Sequence, residues 1–146
     1  MKGHWILLAF LWLSCFLTCE ASSDKYRVSD RPDSTIVIIY ENDVHCVVDG
    51  YSRLASLRAK QQMVTSYVTT VSCGDFVQGG VVGSVSFGEH IVGIMNQVGY
   101  DVVALGNHEF DFGASQLFRL TDLLDASVVC ANFRNLRTGE LVFPDY

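Results

Sequence analysis

Four runs rich in β-branched and aromatic residues, 35–40, 67–73, 101–105 and 127–131, alternate with stretches of helical periodicity, and this alternation constrains the fold more than any other feature. The first run, Thr-Ile-Val-Ile-Ile-Tyr, is apolar at every second position on both faces, as expected of a buried strand. Helices are expected over 51–63, with Leu54, Ala55, Leu57 and Ala59 in register; over 87–98, with Ile91, Ile94, Met95 and Val98; and over 113–124, with Leu117, Leu120, Leu123 and Leu124 inward. Such an order predicts an α/β fold with a mostly parallel sheet covered by helices. The last segment, 134–146, has a turn signal at Thr138-Gly139 followed by Leu-Val-Phe143, and reads as half of a hairpin with nothing after it to complete the pair.

Before the first strand the texture is different. Lys2 precedes an almost unbroken apolar run over 6–19, and Glu20, Ser22, Ser23 and Asp24 follow at once. Residues 1–21 therefore read as a secretory signal peptide, too short for a comfortable membrane span, with cleavage before Ser22. An uncleaved anchor and a lipid-modified Cys19 are the alternatives. Residues 22–34 are polar, include Pro32 and read as an exposed linker, which leaves 35–146 as the folded part. The expected destination is outside the cytosol, as a secreted, periplasmic or cell-surface protein with no transmembrane span in the mature chain. With 49% hydrophobic and 18% charged residues the 146-residue chain is not a disordered one, and a net charge of −6 argues against a duplex nucleic-acid partner held through phosphates. Cys46, Cys73 and Cys130 remain after the leader: an odd number, without CxxC spacing, each in or at the end of an apolar run, as buried free thiols are.

Ligands of open α/β sheets bind beyond the carboxyl ends of the strands. At those positions the chain carries Asn42-Asp43-Val44-His45, Gly74-Asp75, Gly106-Asn107-His108-Glu109-Phe110-Asp111 and Asn132. Asp43, Asp75 and Asn107 are evenly spaced, about one βαβ unit apart, so the blocks belong to one crevice. Each block alone is also an ordinary turn. Together their residue types suit two metal ions better than an acid–base pair. Asp43 and His45, two apart in an extended segment, point to the same side; Asp75 has two oxygens to bridge with, and Asn107 offers a neutral oxygen to the second ion. Carboxylates gathered without lysine or arginine repel one another unless cations intervene. The donor mixture fits Zn, Mn, Fe or Co without choosing among them. Gln78-Gly79-Gly80 reads as a loop allowing close approach to the site, His90 as a solvated surface residue, and Cys46 as a small buried hydrophobe beside His45.

These blocks, with Gly74-Asp75-Phe76-Val77-Gln78-Gly79, the run through Phe112-Gly113, Met95-Asn96, Gly99-Tyr100-Asp101 and Ala131-Asn132, resemble the signature sequences of the 5′-nucleotidase family within the calcineurin-like metallophosphoesterases. Cys46 departs from the glycine usual after the Asp-x-His block. The resemblance implies the calcineurin-like α/β sandwich, of which 35–146 would be an N-terminal, truncated portion. It implies that Asp43, His45, Asp75 and Asn107 hold two divalent ions, and that His108, oriented by Asp111, assists hydrolysis of nucleoside 5′-monophosphates or related nucleotide esters by a hydroxide activated between the metals. The family's further histidine ligands and its C-terminal substrate-binding domain have no counterpart here, since no histidine follows His108, so the chain alone is expected to be inactive. A non-catalytic metal-binding relative, or a family member acting on nucleotide sugars, cyclic nucleotides or sulfur esters, are the alternatives.

Overall fold

The computed structural model describes residues 35–146; the signal peptide expected over 1–21 and the linker over 22–34 lie outside the described residues. Four strands form one sheet, β1 (Val37–Glu41), β2 (Val68–Ser72), β3 (Val102–Ala104) and β4 (Ser127–Val129), each parallel to the next and in sequence order. Between them run α1 (Tyr51–Gln62), then α2 (Gly80–Ser86) and α3 (Glu89–Val98), then α4 (Ala114–Leu123). The α/β fold with a parallel sheet expected from the alternation is present. Because α3 touches both α1 and α4, the helices form one layer across the sheet.

The core lies between that layer and the strands. Ile91, Val92 and Met95 of α3 are fully buried with Val103 of β3, Leu117 and Leu120 of α4, and Phe76 and Val77 of the β2–α2 connection. Full burial of one such side chain contributes about 1.5–3 kcal/mol, so α3, with three of them, is the helix that anchors the layer. Asp101 adds a polar tie across the sheet. Its Oδ2 accepts the buried Thr70 N–H at 2.7 Å, and the Arg58 guanidinium from α1 reaches both Asp101, at 3.2 Å, and the Thr70 hydroxyl, at 3.1 Å.

Several expectations need correction. The first strand is buried on one face only. Ile39 is 8% exposed but Ile38 and Tyr40 are 64% and 72% exposed, because among the described residues the helices cover a single side of the sheet. One expected helix, 87–98, starts later and is preceded by another, α2, where the sequence reads as a glycine loop. Gly, Val and Ser are weak helix formers. Tertiary contact overrides that preference: Gly83 packs so closely on Cys46 that a Cβ there would strike its Sγ and approach the Val77 carbonyl to 2.6 Å. Leu57 and Leu123 face outward; at the end of α4 the backbone turns extended at Leu124, which is buried as expected. Cys46 and Cys130 are buried as expected, but Cys73, one residue past the end of β2, is exposed. The final segment completes its pairing backwards, through an antiparallel bridge between Arg134 and Leu141, so the turn at 138–139 closes on residues before it.

Candidate functional site

The chemistry-bearing blocks follow the carboxyl ends of the strands, as the topology requires. The Asp43 N–H donates to the Gly74 carbonyl (3.2 Å) and the His45 N–H to the Asp75 carbonyl (3.0 Å), which ties the loop after β1 to the loop after β2. Asp43, His45, Cys46 and Asp75 all have left-handed backbones, with φ of 56°, 46°, 60° and 59°. This conformation costs roughly 1–2 kcal/mol for a non-glycine residue, and four instances concentrated in two facing loops mark a strained site. The extended segment expected over 43–45 is therefore absent. Asp43 and His45 meet nonetheless, Oδ1 lying 3.6 Å from Nε2, because two left-handed residues curl the loop back on itself. Asn42 donates its side-chain amide to the Asp43 carboxylate.

Hydrogen bonds fix both histidine tautomers. His45 Nδ1 lies 3.1 Å from the Gln78 carbonyl, which can only accept, so Nδ1 carries the proton and Nε2 keeps its lone pair. His108 Nδ1 lies 2.7 Å from Asp111 Oδ2, so its Nε2 is likewise the atom left for the site. That hydrogen bond, outweighing desolvation and aided by the charges of Asp111, Asp75 and Glu109, holds His108 above the usual histidine range. The two imidazole rings meet edge to face at 4.9 Å, and ligand atoms of His45, Asp75 and His108 all fall within 4.8 Å of one another. Among the described residues no lysine or arginine forms an ion pair with Asp43 or Asp75. The Nε2 lone pair of His45, with the uncompensated carboxylate of Asp43 beside it and that of Asp75 in the same cluster, makes a donor set that a divalent cation fits.

Asn107 is placed differently. With Asn132, Gly106 and Phe110 it lines a neighbouring open cavity of about 420 Å³, which Phe133 and Cys130 also wall. The structure thus brings His45, Asp75 and His108 together, sets Asp43 against His45, adds Asp111 through His108, and places Asn107 on the adjoining wall. His90 is exposed on α3, away from the site. Cys46 donates its thiol to the carbonyls of Phe76 and Val77, and burial, with the Glu109 charge, pushes its pKa up to about 11, so it is a packed thiol rather than a thiolate ligand.

One residue of the site escapes a sequence reading. Glu109 is 1% exposed, and its carboxylate accepts backbone N–H groups from both the β2 and the β3 loop. A glutamate between a histidine and a phenylalanine carries no pattern that signals burial, since glutamates are almost always exposed. Its only mark is its place inside the Asn-His-Glu-Phe-Asp block.

No protein-family model matches the chain. Among curated proteins it is 31% identical over 144 residues to snake venom 5′-nucleotidase of Gloydius brevicauda, a match covering 88% of this chain and 22% of that protein. It is 34% identical over 99 residues to the 5′-nucleotidase of Bos taurus, covering 56% of the chain and 17% of the relative. The chain thus spans about a fifth of the length of these relatives. Among solved structures it superposes on the calcineurin-like phosphoesterase YfkN of Bacillus subtilis with a TM-score of 0.64 and 27% identity, over 75% of this chain and 40% of that one.

Proposed function

We propose that this chain, a member of the 5′-nucleotidase family of calcineurin-like phosphoesterases by sequence and fold, carries one wall of a metal-dependent phosphohydrolase site whose substrates are nucleoside 5′-monophosphates or related nucleotide esters. The observation that carries this reading is the convergence of His45, Asp75 and His108, with Asp43 beside them, on one point past the strand ends. Asp43, His45 and Asp75 would hold a first divalent ion, and Asp75 with Asn107 would begin the site of a second, the choice among Zn, Mn, Co and Fe being open. Divalent ions there would supply Lewis-acid polarisation of the phosphate ester and activation of water.

The chain's own residues supply the rest. The Gln78 carbonyl keeps the His45 lone pair on Nε2, the atom that would bind an ion. Asp111 holds the proton on His108 Nδ1 and raises that imidazole's affinity for a second proton. His108 would then present Nε2–H to the ester, stabilise charge developing on the phosphoryl oxygens, and give its proton to the departing oxygen. Export rests on the leader read over 1–21 and fits a relative found in venom. The whole protein would add the remaining ligands and a substrate-binding domain, with 35–146 the N-terminal portion of its metallophosphoesterase domain.

Phosphate release from AMP by the full-length protein loaded with Mn²⁺ or Zn²⁺ tests the reading. His108→Ala should lower turnover by about 10²–10⁴-fold while metal binding stays near wild type, and Asp75→Ala should abolish metal binding. Absence of metal-dependent hydrolysis of any nucleotide ester would refute the function, and equal metal loss in both variants would refute the division of roles.

A further inference from the structure

We propose that Glu109 is a positioning residue that sets the Asp75 carboxylate for its ion; the inference rests on reading Asp75 as a metal ligand. Its Oε2 accepts the Asp75 N–H at 2.8 Å and the Gly106 N–H at 2.7 Å, and its Oε1 accepts the Phe76 N–H at 2.8 Å and the Val77 N–H at 3.3 Å. One carboxylate therefore fastens three successive amides of the β2 loop to the first turn of the β3 loop. Among the described residues no cation pairs with it. A buried charge without a counterion is costly unless hydrogen bonds replace its water, and four backbone donors do so here.

The clamp acts on the residue with most need of it. Asp75 has a left-handed backbone at φ 59°, which it does not adopt for its own sake. Holding its N–H and the next two fixes that backbone from the main-chain side, while the His108 N–H, at 2.9 Å, steadies its Oδ1. Glu109 is not itself a ligand, because both its oxygens are engaged by the loops and its atoms stand outside the His45, Asp75 and His108 cluster. The requirement is for a carboxylate of this length. Glutamine has one acceptor oxygen and would turn an NH₂ toward two N–H donors, and aspartate is one methylene short of the loop it must reach.

Full-length wild type, Glu109→Gln and Glu109→Asp decide the matter through two measurements: amide hydrogen exchange and Mn²⁺ affinity by titration calorimetry. In Glu109→Gln, exchange at Asp75, Phe76, Val77 and Gly106 should rise by at least about tenfold while that of the α3 amides is unchanged. The Mn²⁺ dissociation constant should weaken by about 10–100-fold, the usual effect of losing a group that orients a ligand, and Glu109→Asp should recover part of both. Unchanged exchange overturns the proposal, as does raised exchange with a dissociation constant within about twofold of wild type, which would make the clamp purely structural. If Glu109→Gln does not fold, Glu109→Asp decides alone, and wild-type affinity in it overturns the proposal. A wild type that binds no Mn²⁺ removes the metal reading and this proposal with it, and that failure is visible in the wild-type arm whatever the variants do.

Discussion

The two loops that build the site meet so closely that one added methyl group should separate them. A Cβ on Gly106 would land on the Asp75 carboxylate, with Asp75 Cγ at 2.7 Å and the Asp75 nitrogen at 2.8 Å. The backbone of Gly106 is not left-handed, so alanine is permitted there conformationally and the penalty of Gly106→Ala is steric alone. To fit, the Asp75 side chain must swing away and give up the His108 N–H, and the backbone of the β2 loop must shift as well. Overpacking of this kind costs about 1–3 kcal/mol and the lost hydrogen bond about 0.5–1.5 kcal/mol, against about 0.4–1 kcal/mol recovered from the stiffer unfolded chain. The net destabilisation is about 0.5–4 kcal/mol, accompanied by loss of Mn²⁺ binding because the displaced group is the proposed ligand.

Gly93→Ala is the matched control. Gly93 is exposed within α3, no atom lies within 4 Å of where its Cβ would stand, and its backbone is helical. The same chemical change there should stabilise by about 0.5–1 kcal/mol, the helix preference for alanine over glycine. Urea denaturation followed by circular dichroism, with Mn²⁺ titration of each variant, reads both signs in one experiment. Gly106→Ala as stable as wild type, or retaining wild-type Mn²⁺ affinity, would refute the packing of Asp75 between the loops.

Three further outcomes follow from groups outside the site. Asp101→Ala should destabilise by about 2–4 kcal/mol in the same denaturation assay, since it orphans the buried Thr70 N–H and frees Arg58; a loss below about 0.5 kcal/mol would mean the tie is not formed. Iodoacetamide at pH 8, mapped by peptide mass spectrometry, should label exposed Cys73 well before Cys46, whose thiol, at a pKa of about 11, is about one-thousandth ionised. The Arg119 hydrogen bond and charge hold Glu89 below its ordinary value, so this pair's contribution is complete above the unfolded carboxylate pKa and is lost as pH falls through the folded one. Thermal melts of Glu89→Gln and wild type should accordingly differ at pH 7 and converge in acid; a difference that grows in acid would reverse the sign of the coupling.

Which parts were legible in the sequence follows from how local their causes are. Strand and helix order was readable because each element announces itself in its own periodicity, and the parallel sheet follows from alternation alone. α2 was not readable, since Gly83 is helical for the sake of Cys46, a residue on another loop. The outward face of β1 was hidden because apolar residues on both sides of a strand say nothing about which side finds a cover. At the site, residue types and order pointed to Asp43, His45, Asp75 and His108; the topology gathers the last three and sets Asp43 beside His45. What the pattern could not convey is how: an extended segment would have aligned Asp43 and His45 by alternation, whereas the chain aligns them through left-handed turns stitched to the next loop. Glu109 lies at the end of that scale, because its partners are backbone amides, which every residue has. No side-chain pattern can mark a position whose partners are main chain, so the carboxylate that ties the two site loops together is the one that only the folded structure reveals.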